Sequence, residues 1–146
     1  MATPNKRVIG SGTSLIRVCR ARDLIRDFYT EGVSLGDCAE EAGLSPWYLL
    51  RSFRATFGET PKEFLTRLRL EQAKHLLTVT DRPVTEVCFD VGFSSLGTFS
   101  LLFKRHVGLS PREYRRRVRC WVSVPGFLPW ARIPSCFAHR FGGVDR

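Results

Sequence analysis

The chain has 146 residues, 43% of them hydrophobic, and carries a formal charge of +9 with a pI near 10.0. That length fits one domain or two small subdomains sharing a helix, and that composition excludes a disordered chain. The charge favours a polyanionic partner, no stretch approaches the ~18 apolar residues of a membrane span, and five scattered cysteines without a C-x-x-C pair fit reduced thiols better than a disulfide framework.

Residues 1–14 are polar and Gly/Ser-rich, and read as a flexible lead, neither a signal peptide nor an anchor. A first helix is expected over about 16–30, with Ile16, Leu24, Ile25 and Phe28 as its apolar stripe, Arg17, Arg20, Arg22 and Arg26 outward, and Gly32 at its end. Ser34 with Asp37 three residues on resembles a capping box and starts a short helix through Ala42, which Gly43 stops. Ser45-Pro46 starts the next helix, with Ser as N-cap and Pro where a missing N–H costs nothing; it runs to about Phe57, and Gly58 closes it.

Thr60-Pro61-Lys62-Glu63 is a full capping box that launches the longest helix, 61–78, with Phe64, Leu65, Leu68, Ala73 and Leu76 on its inner side. At 1.5 Å per residue this is a rod of roughly 27 Å. Pro83 opens a fifth helix that stops at Gly92, and a sixth runs from about Ser95 to His106. Ser110-Pro111-Arg112-Glu113 repeats the capping device and starts the last helix. From Cys120 onward, Pro125, Gly126, Pro129, Pro134, Gly142 and Gly143 break regular helix, while Trp121, Phe127, Trp130, Phe137 and Phe141 are too apolar for a free tail.

Two of these stretches are copies of each other, fifty residues apart. Phe53-Arg54, Gly58, Thr60-Pro61, Glu63-Phe64, Arg67 and Arg69 answer Phe103-Lys104, Gly108, Ser110-Pro111, Glu113-Tyr114, Arg117 and Arg119. Upstream, Ala42-Gly43 and Ser45 answer Val91-Gly92 and Ser94, so the second copy has one extra residue in a turn. Chance does not readily repeat such offsets, and a duplicated supersecondary unit does. Each copy reads as a short helix, a Gly turn, a second helix and a Pro-led third. The division expected is a lead at 1–14, a helix-turn-helix subdomain at 15–60, a linking helix at 61–78, a second subdomain at 79–119, and an irregular tail at 120–146.

In a basic protein, paired helix-turn-helix units point toward DNA. The second helix of such a unit enters the major groove and touches base edges with its N-terminal residues. On the helix beginning at Pro46, Trp47, Leu50 and Arg51 share a face by i, i+3, i+4 spacing, while Leu49 and Phe53 occupy an arc suited to the core. Arg51 is the residue expected to read a base, because its planar fork matches guanine O6/N7; the alternatives are a surface arginine paired with an acid, and for Trp47 an ordinary core aromatic. Arg54 and Lys104 suit backbone phosphates. The charge is uneven: residues 32–58 have two Arg against three acids, net −1, while residues 79–119 have eight Arg/Lys against four acids, net +4. The run Arg115-Arg116-Arg117 lies in the second stretch, and is either a solvated face or a phosphate contact.

Val91-Gly92-Phe93-Ser94-Ser95, Thr98-Phe99-Ser100, Phe103-Lys104, Gly108, Ser110-Pro111 and Tyr114-Arg115 closely follow the signature of the AraC/XylS family of bacterial transcription regulators, and residues 15–119 resemble that family's DNA-binding domain. The resemblance implies an all-α fold of seven helices, with the two units bridged by the long helix and the recognition helices 46–57 and 95–106 in successive major grooves. It places Trp47, Leu50 and Arg51 at base-contacting positions of the first unit, and Leu96, Gly97 and Leu101 at those of the second. Family members commonly have polar residues at 96 and 97 and Arg at 101. Leu, Gly and Leu make no bidentate hydrogen bonds; they can touch a thymine methyl or allow close backbone approach. The first unit is therefore expected to carry most base specificity, although Leu50 stands where a polar residue is common. The second is expected to add phosphate affinity through Lys104, Arg105, Arg115, Arg116 and Arg117.

The resemblance further implies double-stranded DNA as partner, RNA polymerase as a second one, a cytoplasmic and nucleoid-associated place of action, and no cofactor or membrane. The short chain resembles stand-alone members without a small-molecule effector domain, acting as a monomer on DNA or as a tail-mediated dimer. Two rivals stand beside this reading. An enzyme finds little support, since His75, His106 and His139 are scattered and no nucleophile elbow or phosphate loop is present. Cys136-x-x-His139 with Cys120 could nominally hold zinc without the usual paired spacing, and Cys88, matching Ala39, reads as a buried small residue rather than a reactive thiol. The second rival is a degenerate member acting through protein–protein interaction, for which Leu96, Leu101, Leu102 and the aromatic tail would supply the surface.

Overall fold

In the computed structural model, which describes residues 11–118, 121–122 and 133–134, seven helices follow one another: α1 (Ser11–Asp27), α2 (Leu35–Ala42), α3 (Pro46–Phe57), α4 (Pro61–Val79), α5 (Val84–Asp90), α6 (Leu96–Val107) and α7 (Pro111–Val118). A two-residue antiparallel ladder joins β1 (Trp121–Val122) to β2 (Ile133–Pro134), with Trp121 opposite Pro134. The fold is thus the expected all-α one, with this short ladder added within residues 120–146. The packing expected of the tail's aromatic side chains, the Cys120/Cys136/His139 group, and the lead up to residue 10 lie outside the described residues.

The chain divides inside α4 into two units, residues 1–69 and 70–146. In the first, Val18, Ala21 and Ile25 of α1 pack with Cys38, Ala39, Ala42, Leu49 and Phe53, and Leu24, Phe57, Phe64 and Leu65 close the cluster from its edges. In the second, Leu70, Ala73 and Leu77 of α4 pack with Val87, Cys88, Val91, Phe93, Phe99 and Phe103, with Leu76, Leu102 and Tyr114 at the edge. Burial of Cys88 at the position matching Ala39 agrees with its reading as a small packing residue.

The capping devices account for most helix boundaries. Ser34 Oγ accepts from the Asp37 amide at 3.1 Å while the Asp37 carboxylate accepts from the Ser34 amide at 2.8 Å. Thr60/Glu63 and Ser110/Glu113 form the same reciprocal box at the starts of α4 and α7. Ser45 and Ser95 cap α3 and α6 by accepting from the amides of Tyr48 and Thr98. Both helices have twelve residues and end at glycines in the left-handed region, Gly58 and Gly108. Ser45 therefore corresponds to Ser95, not to Ser94, and the extra residue of the second copy lies in the turn after Gly92. Gly43 and Gly92, at φ +61 and +89, make those turns in a conformation that costs other residues more.

Three expectations need correction. The first helix starts at Ser11 and ends at Asp27, with Gly32 in the turn that follows. Its buried stripe is Val18, Ala21 and Ile25 (i, i+3, i+7), with Ile16 and Phe28 exposed, because the short Ala21 side chain lets α1 approach Ala39 and Ala42 closely. On α4 the fully buried residues are Leu70, Ala73 and Leu77, with Phe64, Leu65, Leu68 and Leu76 only partly covered. That helix serves two cores in succession, and a single stripe cannot describe it.

An aromatic contact recurs in each unit. The Phe53 and Phe64 rings meet edge-on at 5.7 Å, and Phe103 and Tyr114, their repeat partners, do so at 5.5 Å. Each pins the helix after the turn to the helix that follows it. Phe53→Ala is expected to cost about 3–5 kcal/mol, measured by denaturant unfolding, because a fully buried ring leaves a cavity at the centre of the first unit.

The acidic members of the boxes make stability pH-dependent. Glu63 is held below its ordinary range by the hydrogen bonds from Thr60, and Glu113 by those from Ser110, with smaller help from Arg54 and from Lys104 and Arg116 respectively. Asp37 is lowered in the same way by Ser34. A lowered folded value means that the unfolded chain binds more protons in that window. The contribution is complete above the ordinary glutamate value of about 4.3 and is lost as pH falls through the lowered folded values. Thermal melts from pH 6 downward are expected to show stability falling once the pH drops below about 5, and Glu63→Gln with Glu113→Gln should flatten that fall.

Candidate nucleic-acid interface

A helix whose inner arc is taken by Leu49, Ser52 and Phe53 must turn its other residues outward. Trp47 is 68% exposed, Leu50 is 39% exposed, and Arg51 and Arg54 are exposed. Trp47 is therefore not a core aromatic. Nor is Arg51 paired with an acid: among the described residues it makes no ion pair, and its guanidinium carbon lies 5.6 Å from the centre of the Trp47 ring. A cation over an exposed ring contributes about 0.5–1 kcal/mol, enough to bias the rotamers of both side chains without burying either. The planar fork keeps its donors for an outside acceptor.

In α6 the same geometry carries different chemistry. Phe99 and Phe103 are buried, Leu96 is 38% and Leu101 70% exposed, and Gly97 lies open on the surface. By the fifty-residue offset Gly97 stands where Trp47 does, and Leu101 where Arg51 does. Lys104, Arg105 and His106 fill the last turn, where cations also complement the negative end of the helix.

Leu50 and Leu96 are less free than their neighbours. Leu50 lines a hollow of about 540 Å³ in the first unit, with Ile25, Val33, Leu35, Pro61 and Leu65. Leu96 lines the equivalent hollow of about 560 Å³ in the second, with Val84, Ser100, Pro111, Arg112 and Arg116. Both hollows are mainly apolar with cations at hand, Lys62 and Arg69 in the first and Arg112, Arg115 and Arg116 in the second. Two exposed residues that sequence reasoning did not assign to the interface lie on the outer faces of α3 and α6: Tyr48 and Thr98, repeat partners three positions after the capping serines. That offset was the signal that could have found them.

The arginine run is not uniform. Arg116 and Arg117 are exposed, but Arg115 is half-buried and its guanidinium donates to the carbonyl of Arg82, in the segment before α5. Arg69 does the equivalent in the first unit, donating from Nε to the Tyr29 carbonyl at 2.6 Å, and its burial lowers its pKa. Both tie a loop to their own unit. Arg67 is held by Glu59 and lies over the Phe64 ring, and Arg82 is paired with Asp90. By contrast Arg54, Lys104, Arg105, Arg112, Arg116 and Arg117 are in no ion pair among the described residues.

Cys38 and Cys88 are buried. Burial pushes the Cys38 thiol up to about 11, with the Asp37 charge adding to the effect, and burial likewise raises Cys88. Such thiols stay protonated and unreactive at neutral pH. No cluster of His, Cys, Asp and Glu suited to a metal ion occurs among the described residues, and none of their helices is long and apolar enough to cross a membrane.

Two capped trihelical units, each presenting the outer face of its post-turn helix, define a protein with two helix-turn-helix units. Residues 38–117 match a family model described as a helix-turn-helix domain. The chain is 41% identical over 92 residues to the HTH-type transcriptional activator RhaS of Escherichia fergusonii, covering 63% of this chain and 33% of that protein. It is similar to the C-terminal domain of AraT, a response regulator from Geobacillus stearothermophilus, with a TM-score of 0.66 and 32% identity over 79% of this chain and 93% of that one. It is also similar to the DNA-binding domain of AdpA, a global transcriptional factor solved in complex with a target DNA, with a TM-score of 0.67 and 29% identity over 70% of this chain and 93% of that one. The chain belongs to the AraC/XylS family of helix-turn-helix transcription regulators. It spans about a third of the length of the curated relatives it matches.

Removing the ring beneath Arg51 should loosen that side chain without unfolding the helix. Trp47→Ala is expected to leave the far-ultraviolet circular dichroism and melting temperature nearly unchanged, as a surface substitution does, while weakening duplex binding severalfold in fluorescence anisotropy.

Proposed function

We propose that this chain binds double-stranded DNA and regulates transcription, placing α3 and α6 in successive major grooves of one duplex. The observation that carries the proposal is the Trp47–Arg51 pair, exposed, stacked and free of acidic partners on a helix that the fold holds by its opposite face. An aromatic that sheds so little of its surface to the core serves better as a platform than as packing. Arg51 is assigned to a guanine edge, where its two donors meet O6 and N7. Trp47 and Leu50 flank it, while Leu96, Gly97 and Leu101 form the weaker reader of the second unit.

Phosphate contacts are assigned to Arg54, Lys104, Arg105, Arg116 and Arg117, which make no ion pair among the described residues. Arg115 is better read as a tie to the Arg82 carbonyl than as a phosphate ligand. The action belongs where the DNA is, in the cytoplasm. Support comes from the likeness to the AdpA domain, solved with its target DNA, and from relatives named transcriptional activators.

Selection from random duplex DNA at near-physiological salt tests the reading. A sharp block beside a weaker one about a helical turn away is expected; absence of salt-sensitive duplex binding would overturn the proposal. Arg51→Ala should cost about 1–3 kcal/mol on the best site and relax preference at one base pair. Replacing Arg116 and Arg117 by Ala should weaken binding to all sequences alike and reduce the salt slope by about 1 for each phosphate left without its cation.

A further inference from the structure

Gly97 has no reason in the fold to be glycine. Its φ is not positive, and a Cβ there would meet nothing nearer than Ser95 Oγ at 3.7 Å, an ordinary contact. Glycine in a helix is less favourable than alanine, so the first turn of α6 gives up stability here without conformational or steric need. One turn later on the same face stands Leu101, the most exposed large apolar residue of its unit among the described residues. A lone exposed leucine is ordinary on a protein surface. An exposed leucine i+4 from an unneeded glycine, at the repeat positions of Arg51 and Trp47, is a shaped feature: a bare stretch of backbone beside an apolar step.

The surroundings say what covers it. Lys104 and Arg105 follow Leu101 at i+3 and i+4, exposed and in no ion pair among the described residues. An apolar step bordered by exposed cations suits a ligand with an apolar edge framed by negative charge. In the major groove only thymine presents a methyl group, at C5, between two phosphate backbones. We infer that Gly97 and Leu101 form a thymine reader: the bare backbone at Gly97 admits the base edge, and the Leu101 side chain packs on the C5 methyl. This rests on the DNA-binding reading and supplies the base preference of its second unit. The two units then read by different chemistry, the first by donated hydrogen bonds and the second by removing a methyl group from water.

Replacing thymine by uracil in the second block of a selected site tests this, since uracil keeps the hydrogen-bonding edge and lacks only the methyl. The wild-type chain is expected to lose about fourfold in affinity for each buried methyl removed. Leu101→Ala should lose as much on the thymine duplex and be indifferent to uracil. Gly97→Ala should raise the melting temperature yet weaken binding to the thymine duplex, opposite signs that a purely structural glycine would not give. A second block without thymine enrichment, equal wild-type affinity for the two duplexes, or full thymine preference in Leu101→Ala would each overturn the inference. In all three cases salt-sensitive binding and the Arg51 effect would still stand. A chain that binds no duplex overturns the DNA reading and this inference together.

Discussion

The edge-on contact between Phe53 and Phe64, repeated by Phe103 and Tyr114, is the constraint on which each unit depends. A buried ring on the post-turn helix meets a ring in the first turn of the next helix, and the capping box sets where that helix begins. Once the inner arc is pinned, the 3.6-residue period dictates what remains outside: 47, 50, 51 and 54 in one copy, 97, 101, 104 and 105 in the other. The presented face is a consequence of the core, not a separate design. Edge-to-face pairs add about 0.5–1.5 kcal/mol beyond the area they bury, which favours one relative placement of the two helices.

Duplication preserved that scaffold while the two surfaces diverged. Buried positions changed little in kind, Phe53 and Phe103, Ala39 and Cys88, and so did the partly covered pair Phe64 and Tyr114. Outside, a tryptophan and an arginine are answered by a glycine and a leucine. The fold tolerates this because the surface residues have no part in the ring contacts or the boxes. Free cations concentrate where the second unit is richest in arginine, whereas Arg67, Arg69, Arg82 and Arg115 are occupied in holding loops and helix starts. Net charge alone could not have separated the two groups.

Local chemistry was the most legible part of the chain. The capping serines and threonine, the acid three residues on at α2, α4 and α7, and the glycines after α2, α3 and α6 marked these five helices to within a residue or two, because caps and left-handed turns are decided by residues adjacent in sequence. The family signature, carried by Gly92, Phe93, Phe103, Gly108, Pro111 and Tyr114, was legible for the same reason. Less legible were α1, whose stripe runs through Val18 and Ala21, and the half of α4 carrying Leu70 and Leu77. Large apolar residues are poor guides where a small one permits close helix approach, or where one helix passes from one core to another.

By itself, then, the sequence determined the number of helices, the starts and stops of those with local caps, the duplication and the arc of α3 that faces outward. Those depend on short-range hydrogen bonds and on helical periodicity, which need only neighbours along the chain. Tertiary structure alone decided that Arg51 stacks on an exposed Trp47, that Arg115 turns back to Arg82, that Leu50 and Leu96 lean into hollows, and that Gly97 is bare without being crowded. A side chain's freedom is set by what lies across from it in space, and that is known only once the helices have packed.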